Sequence, residues 1–250
     1  MRRFGLIGHP VGHSWSQLYF EEKWNREGIS DCVYELHDLP SVEGVQALWE
    51  QGNWCGMNVT VPHKQSIIPF LDALSDKAHA IGAVNAIEFT PHGRIGHNTD
   101  AVGFQRAIAP YLKGHHHRAL VLGTGGSAAA VCHVLREIGL DVTRVSRNPS
   151  APDTMGYSDI RKEGIKATPV MVNCTPVGMH PGEHAMPPLD AALDGLGPEH
   201  LVIDLIYNPR ETRLLSHASS LGAKTLDGLS MLHHQADAAW EIWSGAAAST

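Results

Sequence analysis

Leu120-Val121-Leu122-Gly123-Thr124-Gly125-Gly126-Ser127-Ala128 is the stretch that decides the fold. An apolar strand runs into a glycine turn, and an alanine-rich helix follows as far as Gly139. The spacing is that of the G-x-G-x-x-G fingerprint of dinucleotide-binding α/β units, with alanine in the third position. Gly123 allows the tight turn, Gly125 lets backbone approach a pyrophosphate, and Ala128 lets helix and strand pack closely. The helix start offers unbonded N–H groups to anionic oxygens. The turn therefore predicts cofactor contacts from Gly123, Thr124, Gly125, Gly126 and Ser127. The alternative is a tight turn with a purely structural role.

Downstream, the strand Val142 to Val145 ends in Ser146-Arg147-Asn148, with no carboxylate at its tip. An Asp or Glu there would bind a ribose 2′-hydroxyl and repel a 2′-phosphate, whereas Arg147 can pair with the phosphate. NADP is favoured over NAD, the alternative for Arg147 being a solvated surface arginine. Further strands are expected at Val170 to Asn173 and Leu201 to Leu205, with loops at 148–152 and 179–188. Met231, Leu232, Ala236, Ala239, Trp240 and Trp243 share helical spacing, which predicts one packed helix over 230–243.

Upstream, Phe4 to Gly8 reads as a first strand, and Ser14 or Ser16 as the cap of a helix through Trp24. A strand at Val33 to Leu36 and a helix at Val42 to Trp49 follow. Next come a strand at Met57 to Val61, a helix at Lys64 to Leu74, and a hairpin from Ala83 to Gly96 turning at Pro91-His92-Gly93. A connecting helix is expected from Val102 to Tyr111. Alternation of this kind implies mostly parallel pairing. The expected architecture is α/β and two-lobed, with a cleft between the lobes. Residues 1–101 form a substrate-binding α/β domain, with a C-terminal helix over 229–250 packing back on it. Residues 102–228 form a Rossmann-like, doubly wound NADP-binding domain.

Composition narrows the function classes. The 250 residues are 43% hydrophobic and 18% charged, with 25 glycines, as in a soluble α/β protein. A net charge of −7 argues against a nucleic-acid partner. No apolar run reaches membrane-spanning length, and Met1-Arg2-Arg3 leads into a strand rather than a signal peptide. The four cysteines lack C-x-x-C spacing, so a reducing cytoplasm is expected. Seventeen histidines raise the question of metal, but His115-His116-His117 cannot easily converge on one ion and no H-E-x-x-H occurs; no metal is expected.

Asn58-Val59-Thr60-Val61-Pro62-His63-Lys64 carries the candidate chemistry. Val59 and Val61 alternate with polar residues, and Pro62 ends the ladder because it has no N–H. A hydroxyl, an amide and an ammonium thus gather at a strand end, where α/β proteins place their chemistry. Taken alone, the stretch fits an ordinary edge strand with a solvated lysine equally well.

Its company is decisive. Ser14-Trp15-Ser16, Asn58 to Lys64, Gly82-Ala83-Val84-Asn85, Asn98-Thr99-Asp100 and Gly123 to Ser127 stand in order along the chain. Asn173 to Met179, Asp204 to Pro209, and Gly228 to Leu232 with Gln235 continue the series. These eight blocks resemble those of the shikimate dehydrogenases. The resemblance implies reversible reduction of 3-dehydroshikimate with NADP as cofactor, Lys64 being the general acid/base and Asp100 its partner. It also implies that Ser14, Ser16 and Tyr207 hold the substrate carboxylate, while Thr60, Asn85, Asp100 and Gln235 bind ring hydroxyls. Thr175, Leu205 and Gly228 join the cofactor set on the same ground. A small-molecule substrate and a monomer or homodimer are expected. Alternatives are a quinate or aminoshikimate dehydrogenase on the same scaffold, or a non-catalytic NADP-binding sensor. The chain departs from the family pattern at Gln17, where proline is frequent, and at His63, a position usually apolar or aromatic. It also lacks a second arginine after Arg147.

Overall fold

The structure is a computed structural model that describes residues 1–12, 14–149, 151 and 153–245. The chain divides into two compact units, one of Met1–Val102 with Gln235 onward, the other of Gly103–His234. The last five residues of the helix expected over 229–250 lie outside the described residues.

The first unit runs β1 (Arg2–Gly8), α1 (Ser16–Glu27), β2 (Cys32–Asp38), α2 (Val45–Glu50), β3 (Trp54–Val59), β4 (Ala73–Leu74), α3 (Asp76–Ile81), β5 (Ala86–Thr90), β6 (Gly93–His97) and the start of α4 (Thr99–Ile108). Its six-stranded sheet has the order β2-β1-β3-β5-β6-β4. β1 lies parallel to β2 and β3, but β5 is antiparallel to both β3 and β6, so the sheet is mixed. Alternation along β1 fills both faces. Phe4 and Leu6 pack with Phe20 and Trp24 of α1, whereas Ile7 packs with Val45, Leu48 and Trp49.

The second unit continues with β7 (Arg118–Leu122), α5 (Gly126–Glu137), β8 (Asp141–Ser146), β9 (Thr154–Gly156), α6 (Lys162–Lys166), β10 (Val170–Asn173), β11 (Leu201–Asp204), α7 (Arg213–Ser220), β12 (Lys224–Leu226) and the start of α8 (Leu229–Trp243). All its recorded strand pairs are parallel, in the order β12-β11-β10-β7-β8-β9. Taken in chain order, this is the doubly wound arrangement of dinucleotide-binding sheets, which reverses direction between β7 and β10. The strands read as continuous apolar runs because they are covered on both faces.

Three expectations need correction. The strand before Lys64 ends at Val59, not Val61: Thr60 N–H makes the last donor bond of β3 to β1, to the Ile7 carbonyl at 2.9 Å, and Pro62 has no N–H to continue the ladder. The helix expected over Lys64 to Leu74 is a run of turns with one 3-10 turn at Ile68–Phe70, since Pro69 interrupts the ladder and Ala73–Leu74 joins the sheet. Neither serine caps α1: Trp15 occupies the N-cap position, and the Ser14 hydroxyl accepts from Ser16 N at 3.2 Å.

Candidate active site

Lys64 lies just beyond the end of β3, on a turn tied down from two sides. Val84 N–H donates to the Lys64 carbonyl at 2.7 Å, and the buried His63 ring meets the Leu39 carbonyl at 2.6 Å. His63 therefore has a place: it anchors the turn to the end of β2. Lys64 Nζ donates to Asp100 Oδ2 at 2.6 Å, and the two side chains are only 13% and 6% exposed. Asp100 stands in the first turn of α4, where the helix dipole favours a carboxylate. Asn98 caps that helix by accepting from Ala101 N at 3.1 Å.

Asn85 holds the pair in place. Its Nδ2 donates to Asp100 Oδ1 at 2.9 Å and lies 3.2 Å from Gln235 Oε1, while its Oδ1 accepts from Thr99 N at 2.6 Å. The Asn85 carbonyl accepts from Val59 N at 2.9 Å and from Asn58 Nδ2 at 3.2 Å. Asn58 Oδ1 in turn accepts from the buried Tyr34 hydroxyl at 2.7 Å. Lys64, Asn85, Asp100 and Gln235 thus form one hydrogen-bonded cluster, although 150 positions separate Asn85 from Gln235. Thr60 is half-buried one turn before Lys64, its methyl against Gly8, where a Cβ would overlap it. Ser14 and Ser16 lie together at the start of α1. Tyr207 belongs to the second unit, on the loop after β11.

In the second unit, Gly123 takes a left-handed conformation (φ 112°), and a Cβ there would stand 3.3 Å from the Thr175 methyl. The β7 and β10 loops thus adjoin where the sheet order reverses. Gly125 occupies the N-cap of α5, and a Cβ on it would meet no atom within 4 Å. Together with the exposed Arg147 past β8, these residues fit a phosphorylated dinucleotide. Gly228 is required for packing, since a Cβ would overlap the Leu205 carbonyl.

The structure adds a buried polar group at the ends of β10 and β11. Asp204 accepts from Asn173 Nδ2 at 3.0 Å, Ile206 N at 3.1 Å and the Thr212 hydroxyl at 2.8 Å. Burial pushes its carboxyl up to about 6, with the three hydrogen bonds pulling the other way. Asn173 and Asp204 each open a motif block in the sequence, but nothing local shows that the two side chains meet. Among the described residues, no group of His, Cys, Asp and Glu could hold a metal ion, and no helix is long and apolar enough to cross a membrane.

Residues 6–87 match the family profile described as the shikimate dehydrogenase substrate binding domain. The shikimate dehydrogenase (NADP(+)) of Rhodospirillum rubrum is 38% identical over 263 residues, covering 97% of this chain and 92% of the relative. The structure of shikimate 5-dehydrogenase from Thermus thermophilus in complex with NADP(H) and shikimate is 34% identical, with a TM-score of 0.87. It covers 98% of this chain and 94% of that one. Quinate dehydrogenase from Corynebacterium glutamicum in complex with NAD matches with a TM-score of 0.84 at 30% identity, over 98% of this chain and 94% of that one. With such identity across nearly the whole of both chains, and one fold throughout, the chain belongs to the shikimate dehydrogenase family.

Proposed function

We propose that this chain catalyses the reversible NADP-dependent reduction of 3-dehydroshikimate to shikimate, a step towards chorismate and the aromatic amino acids. The observation that carries the reading is the Lys64–Asp100 ion pair at 2.6 Å, closed on its far oxygen by Asn85. When bound, NADPH supplies the hydride that adds to the substrate carbonyl carbon. As the C=O electron pair moves onto oxygen, the Lys64 ammonium stabilises the developing alkoxide and gives it a proton. In the reverse direction the neutral amine takes that proton back. Asp100 orients the ammonium, and its partly buried setting excludes water that would compete for the proton.

Substrate recognition falls to short polar side chains. Thr60, Asn85, Asp100 and Gln235 bind ring hydroxyls, and Ser14, Ser16 and Tyr207 take the carboxylate. Gly123 to Ser127 with Thr175 hold the pyrophosphate side of the cofactor, Leu205 and Gly228 line its site, and Arg147 pairs with the 2′-phosphate. The four cysteines are free thiols, which suits catalysis in a reducing cytoplasm.

A quinate dehydrogenase activity is the second reading, supported by similarity to the Corynebacterium glutamicum enzyme. Quinate carries a tertiary hydroxyl beside its carboxylate, so Ser14 and Ser16 would discriminate. A sensor without catalysis has no need of the Lys64–Asp100 pair. Following NADPH or NADH absorbance with shikimate and with quinate tests all three. We expect turnover with shikimate and NADP to exceed every other pairing. Preference for quinate, or no turnover at all, would overturn the proposal.

A further inference from the structure

We infer that Asp204 is a positioning residue for the cofactor, acting through Asn173 and Thr175 on the Gly123 turn. The inference rests on the reading of the second unit as the NADP-binding one. Its basis is hydrogen-bond polarity. Ionised Asp204 offers only acceptors, and both it and Asn173 are fully buried. The Asn173 amide must therefore turn its Nδ2 towards Asp204, at 3.0 Å. That choice points Oδ1 the other way, where it accepts from Thr175 N at 3.1 Å and from the Thr175 hydroxyl at 2.7 Å. With the amide reversed, an N–H donor would face the Thr175 N–H, and the turn would lose its anchor.

The consequence reaches the glycine loop. With its hydroxyl bound to Asn173, Thr175 can take only one rotamer, and the structure shows its methyl beside Gly123. The same hydroxyl oxygen accepts from Val177 N at 3.3 Å, which extends the order one residue pair further. The other bonds of Asp204 act on the neighbouring loop. Oδ1 also takes Ile206 N, and Oδ2 takes the Thr212 hydroxyl that caps α7. Between Asp204 and Thr212 stand Leu205, against Gly228, and Tyr207. One buried carboxylate thus sets two loops at the ends of adjacent strands.

Four variants test this by isothermal titration with NADP+, alongside steady-state kinetics. Asp204→Ala removes the acceptors, and Asn173→Ala removes the amide they orient. Each should weaken NADP+ binding about tenfold, the scale of one lost oriented contact, and raise KM for NADPH with kcat changed less than about threefold. The double variant should lose less affinity than the two single losses combined, because the Asn173 branch is shared by both. Asp204→Asn keeps an acceptor towards Asn173 and should restore wild-type affinity. Wild-type affinity in Asn173→Ala, or additive losses in the double variant, overturns the inference, even where Asp204→Ala fails to fold. So does failure of Asp204→Asn to rescue affinity while its melting temperature is retained. Absence of NADP+ binding by the wild-type protein would instead overturn the cofactor reading on which the inference stands.

Discussion

Replacing Asp204 by Asn should change how stability depends on pH, in a direction opposite to ordinary acid denaturation. The carboxyl is fully buried among neutral partners, and burial raises its pKa from 3.8 to about 6. At about 1.4 kcal/mol per tenfold, keeping it ionised costs the fold about 3 kcal/mol. This cost is complete above pH ~7. As pH falls through the folded value near 6 towards the unfolded 3.8, the folded protein holds a proton that the unfolded chain has released, so the wild type gains stability. The asparagine does not titrate. By pH ~4.5, about 2 of those 3 kcal/mol should be recovered by the wild type and none by the variant. Asp72 and Asp153 lie low, at about 2, because hydrogen bonds from Arg94 and Arg144 hold them ionised; both proteins carry them, so they cancel in the comparison. Urea unfolding of both proteins between pH ~4.5 and ~7.5 reads the difference directly. A wild-type-minus-variant difference that stays constant within about 0.5 kcal/mol across that range would refute the argument from burial.

Three further substitutions have defined outcomes. Lys64→Ala should cut kcat by about 10²–10⁴ while the protein still folds, and near-normal turnover would remove Lys64 as proton donor. Arg147→Ala should raise KM for NADPH far more than for NADH, and equal effects would leave Arg147 a surface residue. Gly228→Ala drives a Cβ into the Leu205 carbonyl, so it should cost about 1–3 kcal/mol by thermal unfolding and raise KM for NADPH. A variant as stable as wild type would show that this backbone has room to move.

The legible parts of the fold were those with strong local signals. β7, β10 and β11 are short apolar runs ended by glycine or a polar residue, and the β5–β6 hairpin turns on Pro91-His92-Gly93. β9 and β12 were not legible, because three residues cannot display a period of two and their pairing is supplied by β8 and β11. Lys64 to Leu74 misled because Ile67, Phe70 and Leu71 share helical spacing while facing a sheet, and Pro69 lies inside the run. Within the site, Lys64 and Asp100 were visible as motif residues. The bonds that fix them were not, since Tyr34 reads as one more aromatic of a buried strand, and its partner Asn58 lies two strands away. Asp204 and Asn173 likewise meet across 31 positions, beyond any local pattern.

Asn85 shows why the cluster needs an amide rather than a second charge. The side chain must accept from Thr99 N and donate to Asp100 Oδ1 with the same fork. A carboxylate at 85 would place acceptor against acceptor beside Asp100, and a hydrocarbon would leave Asp100 Oδ1 without its donor in a nearly dry site. With Oδ1 held, Oδ2 has one direction left, and Lys64 Nζ lies along it at 2.6 Å. The position of the proposed proton donor is therefore inherited through Asp100 and Asn85 from the backbone of β3, whose Val59 N–H fixes the Asn85 carbonyl. Rigid strands, not the flexible lysine stem, set the geometry of the acid, which is what proton transfer at a defined oxygen requires.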